Sequence, residues 1–218
     1  LCLPQSEQET LCHKDFKTQL HDSAEFWWKR WEKTKSKEDL KWAREILEIE
    51  VKQDPNASVV SRTAYADLLF QSEEFESASR YYHDLPGQEY SELVALDRWM
   101  EQDKESFLPK ESFKIAVQAF LEKNQKDPHR EELLFRYTHL LVQDKSWIEA
   151  EKNCLALLKM PLQKKADAEN LYLEVLHAQG KQKPYETELR RIESQTPAGE
   201  HKAALARRIA ILELEKIE

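Results

Sequence analysis

The sequence predicts an all-α fold built as an array of about five helical hairpins with a C-terminal capping helix. Three observations carry this prediction. Prolines interrupt the chain at Pro55, Pro86, Pro128, Pro161 and Pro197, at intervals of 31 to 42 residues. Proline cannot continue a helix, and such intervals suit two short helices and a turn rather than a domain. Strand signals are nearly absent, and the 218 residues contain only three glycines, Gly87, Gly180 and Gly199. Finally, a motif recurs between the pauses: Leu40-x-x-Ala43-x-x-x-Leu47, Phe75-x-x-Ala78-x-x-x-Tyr82, Phe113-x-x-Ala116-x-x-x-Phe120 and Trp147-x-x-Ala150-x-x-x-Cys154. Its alanines lie 35, 38 and 34 residues apart, and a weaker copy follows at Tyr185-x-x-Glu188-x-x-x-Ile192. A small residue lets two helices approach closely while bulky residues three before and four after pack beside it.

Taken in order, residues 1–22 form an N-terminal helical segment. An S-x-x-E capping box at Ser6 to Glu9 opens a helix with Cys12, Phe16 and Leu20 on one face, and Asp22 to Glu25 starts another. Ser36 with Asp39 and Ser146 with Glu149 repeat the device. Hairpins then occupy about 23–56, 57–87, 88–128, 129–162 and 163–197. Residues 198–218 read as one amphipathic helix, with Ala203, Ala206, Ala210, Leu214 and Ile217 on one stripe and Leu205, Ile209 and Leu212 on another. A stack of repeats leaves an apolar end face, and covering it is the simplest role for this helix.

First helices carry their own pattern: Trp27 with Trp31, Arg62-x-x-Tyr65-Ala66-x-x-Leu69, Leu96-x-x-Trp99-Met100, Leu134-x-x-Tyr137-Thr138-x-x-Leu141 and Ala168-x-x-Leu171-Tyr172-x-x-Val175. With the phased alanines and prolines, residues 23–197 resemble the tetratricopeptide repeat (TPR) family. The resemblance implies a right-handed superhelix, an α-solenoid, whose first helices line a concave groove. Where that family prefers a small first-helix residue, this chain has Trp31, Ala66, Met100, Thr138 and Tyr172. Wider helix separations or shifted registers are therefore expected. The aromatic cluster Phe26-Trp27-Trp28-x-x-Trp31 also resembles half-a-TPR proteins of RNA processing, which supplies an alternative reading.

Composition excludes several functions. The three glycines cannot build a Walker or GxGxxG loop. A net charge of −8 argues against a phosphate-driven grip on nucleic acid, so no nucleic-acid partner is expected. No apolar run approaches the roughly 20 residues of a transmembrane helix, which confines membrane association to a partner or an N-terminal anchor. The seven histidines contain no HExxH and no pair at helical zinc spacing, and no G-x-S-x-G elbow exists. We therefore expect no catalytic residues, no metal site and no cofactor. A regulatory subunit or a helical enzyme remains the alternative, and its signature would be a deep polar pocket with His139 or His177 beside carboxylates. Cys2 and Cys12 could form a disulfide in an oxidising compartment, and Cys154 reads as a buried core residue. Such a bridge would favour an exported, periplasmic or envelope-associated location over a cytoplasmic one.

The resemblance also implies the groove residues. Carried over to this sequence they are Trp28, Thr63, Asp67, Phe70, Asp97, Glu101, Phe135, His139, Val142, Glu169, Leu173 and Leu176. No Lys or Asn stands at the positions where family members clamp a peptide carboxylate. The expected partner is accordingly a basic or apolar protein or peptide segment, docked by a non-catalytic scaffold or adaptor that helps assemble a larger complex.

Overall fold

Good helix formers run unbroken from Gln5 to Thr34, with neither glycine nor proline among them, and the chain uses them as one 30-residue helix, α1 (Gln5–Thr34). The computed structural model describes residues 5–54, 57–160 and 165–214, with side chains given from Phe16 onward except Lys17. The expected Cys2–Cys12 bridge lies outside the described residues and side chains. Asp22 therefore does not start a second helix: it sits exposed inside α1, because no breaker precedes it and continuing the helix forms a backbone bond at every step.

Among the described residues ten further helices follow: α2 (Lys37–Gln53), α3 (Val59–Gln71), α4 (Phe75–His83), α5 (Glu89–Gln102), α6 (Phe107–Lys123), α7 (Arg130–Gln143), α8 (Trp147–Leu157), α9 (Lys165–Ala178), α10 (Gln182–Gln195) and α11 (Glu200–Leu214). No strand occurs among the described residues. Two compact units result, residues 1–120 and 121–218. In the first, α1 to α5 each pack on the next, and the core is built from Leu40, Ala43 and Leu47 of α2, Tyr65, Ala66 and Leu69 of α3, and Ala78 and Tyr82 of α4. In the second, α7 to α11 pack in chain order and α7 also touches α9.

Three hairpins close with the same turn. Glu74 N–H donates to the Leu69 carbonyl (2.9 Å), Ser146 N–H to Leu141 (2.8 Å) and Lys181 N–H to Leu176 (3.0 Å). Just before each donor stands a left-handed residue: Glu73 (φ 63°), Lys145 (φ 59°) and Gly180 (φ 68°). This six-to-one closure satisfies carbonyls that a helix end leaves open. Superposing the three turns in sequence aligns Tyr65, Tyr137 and Tyr172, then Ala66, Thr138 and Leu173, then Leu69, Leu141 and Leu176. In the second helices Tyr82, Cys154 and Leu189 align; Leu85, just past the end of α4, aligns with Leu157 and Ile192, and all six are buried.

That frame corrects the fifth hairpin. Its first helix is shifted by one residue from the sequence reading and its second by three, so that Tyr185, not Glu188, stands in the column of Ala78 and Ala150. The cause is the dense apolar run Leu171-Tyr172-Leu173 with Val175-Leu176, which offers an apolar face in either register until the turn at Gly180 fixes one. A smaller shift occurs in the third hairpin, where Ala116 is only half-buried and Val117 is fully buried between Phe113 and Phe120. Its connection, residues 103–106, lacks a left-handed residue, so the shared closure is missing there.

The two testable capping boxes do not form. Ser36 has no capping bond, and its hydroxyl donates to Glu38 (2.7 Å), while Asp39 accepts from Thr34 (2.7 Å) and pairs with Arg30 (3.2 Å). Ser146 also lacks a capping bond, and Glu149 accepts from the Tyr137 hydroxyl at 2.8 Å. Tertiary partners for these carboxylates outcompete the local ones. A side-chain cap does form at Ser58, which accepts from Ser61 N–H at 3.0 Å and opens α3. At the chain's other end Leu205, Ile209 and Leu212 of α11 pack on Leu173, Leu189 and Ile192, while Ala203, Ala206 and Ala210 face solvent and Ile217 lies outside the described residues.

Candidate functional site

With the turns aligned, the positions expected to face a groove fall into three columns. They are Thr63, Phe135 and Asn170; Asp67, His139 and Glu174; and Phe70, Val142 and His177. Five of these nine line one cavity of about 640 Å³ in the second unit: Phe135 and His139 of α7, and Asn170, Glu174 and His177 of α9. Leu171 and Leu173 supply apolar wall, Asp167 stands at the N-terminal end of α9, and Tyr185 of α10 and Arg208 of α11 complete the rim.

Aromatic contacts set the walls. The Phe135 ring meets His139 edge-on with centroids 4.7 Å apart, and His177 lies 5.5 Å from Tyr185. Partial burial holds the His139 pKa below the usual histidine value; Glu174 and Asp167 pull it upward and Arg136 pushes it down. This shift favours the neutral imidazole at pH 7. Counting formal charges, the rim then carries two carboxylates against the single guanidinium of Arg208.

A counterpart of about 250 Å³ lies in the first unit, again between consecutive first helices. His21, Ala24, Glu25 and Trp28 of α1 face Ala64, Asp67 and Leu68 of α3, with Leu47 of α2 contributing apolar surface. Trp28 packs on Trp31 at 4.9 Å. Burial raises the Asp67 pKa above the ordinary carboxylate value, opposed by the Tyr82 hydroxyl that donates to it at 2.6 Å.

The remaining groove candidates separate by environment. Glu169 is buried, pairs with Arg191 at 3.2 Å and Lys165 at 3.8 Å, and occupies the column of half-buried Arg62 and buried Leu134. It is therefore committed to structure, as is Leu176, buried in the column of Leu69 and Leu141. Leu173 is equally buried but also contributes wall to the larger cavity. Phe70 packs edge-on against Phe75 at 5.2 Å as part of the first unit's core. Exposed Glu101 accepts from Arg98 at 2.9 Å. Thr63, Asp97 and Val142 are half-buried and line neither cavity.

The groove reading missed Asn170, Glu174 and His177, the last of which it named only for the enzyme alternative, and it also missed Tyr185, Arg208 and Asp167. The first three were recoverable, since placing Gly180 in register with Lys145 shifts the fifth hairpin onto them. Nothing local in the sequence brings Arg208 to the cavity. Among the described residues no cluster of three His, Cys, Asp or Glu side chains converges on a metal-sized site. None of the described helices is long and apolar enough to cross a membrane. Cys154 is a free, buried thiol whose pKa is pushed up to about 12, chiefly by burial and further by Glu151 and Glu174. No protein-family model and no curated protein matches the chain.

Proposed function

We propose that this chain is a non-catalytic, TPR-like docking scaffold, a right-handed α-solenoid that holds a basic or apolar peptide segment against its first helices. The convergence of Phe135 and His139 with Asn170, Glu174 and His177 on one cavity carries the reading. These are equivalent positions of consecutive hairpins, and a repeat that spends the same positions on one cavity uses them for a ligand. Phe135 and Tyr185 supply anchoring area of the kind that dominates peptide binding. Asp167 and Glu174 outnumber Arg208 and favour cationic ligands. Titrating the protein with matched basic, neutral and acidic peptides tests it. A basic or apolar peptide saturates the wild type, and Phe135→Ala lowers its affinity at least roughly tenfold, the loss of one anchoring side chain. Preference for acidic peptides overturns the electrostatic part, and indifference to Phe135→Ala overturns the site.

A second reading is favoured by the presence of two histidines and two carboxylates around the same cavity, an arrangement suited to acid–base chemistry. It requires turnover of a small ester or phosphate-ester substrate that His139→Ala abolishes. Absence of any His139-dependent turnover across such a panel leaves the docking reading alone.

A further inference from the structure

The chain is acidic overall, yet residues 29–41 contain six Lys or Arg against three Asp or Glu, and four of the six tryptophans fall at Trp27, Trp28, Trp31 and Trp42. The fold gathers part of this set on the outer corner of the α1–α2 hairpin. Phe26 is 59% exposed and Trp42 49% exposed, the level of surface residues despite their size. They are joined through Trp27, whose ring lies 5.4 Å from Phe26 and 6.3 Å from Trp42. Lys29, Arg30 and Lys33 stand three, four and seven residues after Phe26 and so share its face of α1. Lys33, Lys35 and Lys37 are exposed and make no ion pair among the described residues, whereas Lys29, Lys41 and Lys52 each take a glutamate four residues away.

We propose that this corner is a contact surface for an anionic lipid bilayer. Lysines beside a ridge of indole and phenyl rings match the headgroup boundary, where aromatic rings seat and basic side chains meet anionic lipid. The Arg30 guanidinium lies over Trp27 at 5.2 Å and the Lys35 ammonium over Trp31 at 4.2 Å, so these two half-buried rings are engaged within the corner and Phe26 and Trp42 are the ones left exposed. What remains for a partner is a pair of exposed rings, Phe26 and Trp42, with exposed lysines on the same hairpin, which suits an anionic lipid surface. The contact is peripheral and independent of the peptide cavity in the second unit.

Flotation of the full chain with phosphatidylcholine vesicles, alone or doped with about one third phosphatidylserine, tests the proposal. The expected result is partitioning onto the anionic vesicles alone, weakened by salt. The triple variant Lys33→Ala/Lys35→Ala/Lys37→Ala loses about 5-fold per lysine, roughly 100-fold in all. Brominated phospholipid quenches the indole fluorescence of the wild type, and Trp42→Phe removes part of that quenching. Phe26→Ser lowers partitioning with an unchanged circular dichroism spectrum, and if it does not fold, the lysine variant and the quenching decide. Equal partitioning onto neutral vesicles, or retention by the triple variant, overturns the proposal. So does absence of quenching together with binding to poly-glutamate or poly-uridylate, which would reassign the corner to an acidic protein or an RNA.

Discussion

The Tyr82 hydroxyl of α4 donates a 2.6 Å hydrogen bond to Asp67 of α3, so the second helix of the hairpin anchors a carboxylate at the edge of the smaller cavity. Both groups are perturbed in the same direction. Burial raises the Tyr82 hydroxyl far above its ordinary value, with the Asp67 hydrogen bond and charge adding to it, and burial raises Asp67 as well. The first hairpin after α2 thus pairs its helices through a polar contact as well as through Ala66 and Ala78, both fully buried.

The sign of the pH effect follows. Because the folded-state pKa of Asp67 lies above its unfolded value, the native state holds this proton more tightly. Ionisation costs stability at neutral pH, and that cost disappears as pH falls through the folded value towards the unfolded one. Asp67→Asn, which keeps an acceptor for Tyr82, should gain stability relative to wild type at pH 7 and lose that advantage at pH 3. Urea denaturation at both pH values measures it. Tyr82→Phe should cost about 1–2 kcal/mol, since it removes the donor and leaves a half-buried carboxylate short of a partner.

Two histidines should titrate on opposite sides of the ordinary value. His83 is raised by its 2.9 Å hydrogen bond to Glu92 and by that charge, whereas His139 is lowered by burial. NMR titration of the ring protons separates them. Protonating His139 adds positive charge to the larger cavity, so a basic peptide should bind more weakly at pH 5.5 than at pH 7.5. Acidification through the His139 transition also lowers stability, because the unfolded chain takes up this proton first.

Core alanines report the packing register. Enlarging Ala43, Ala78 or Ala150, each fully buried, to Leu should cost about 1–3 kcal/mol by overpacking. Ala116→Leu should cost less than about 0.5 kcal/mol, because that residue is half-buried and Val117 takes the contact. Equal costs at all four positions would show the third hairpin in the register of the others.

Lys145 holds a left-handed conformation where Gly180 stands in the equivalent turn. Lys145→Gly should therefore stabilise the protein by about 0.5–1 kcal/mol, an uncommon sign for a glycine substitution. A rise in the thermal midpoint checks it, and the same change at Gln143, inside α7, should lower the midpoint.

Leu205 is buried against Leu173, Leu189 and Ile192. Leu205→Ala should cost about 2–5 kcal/mol, and removing residues 199–218 should uncover that apolar surface and cause aggregation. A soluble truncation of equal stability would remove the capping role from α11.

The sequence alone determined the all-helical character, because it rests on local chemistry. Proline forbids helix continuation, and alternating apolar faces declare helical period without reference to the rest of the chain. It also nominated Trp28, Asp67, Phe135, His139 and Leu173, which line these two cavities. Tertiary structure decided the rest. One residue of register rotates a helix by about 100°, and the run from Leu171 to Leu176 is apolar enough to accept either setting. The closure at Gly180 chose the one that buries Glu169 with Arg191 and turns Glu174 and His177 to the cavity. Arg208 joins them from 31 residues beyond His177, a neighbour that only the packing of α11 onto the end of the unit could supply.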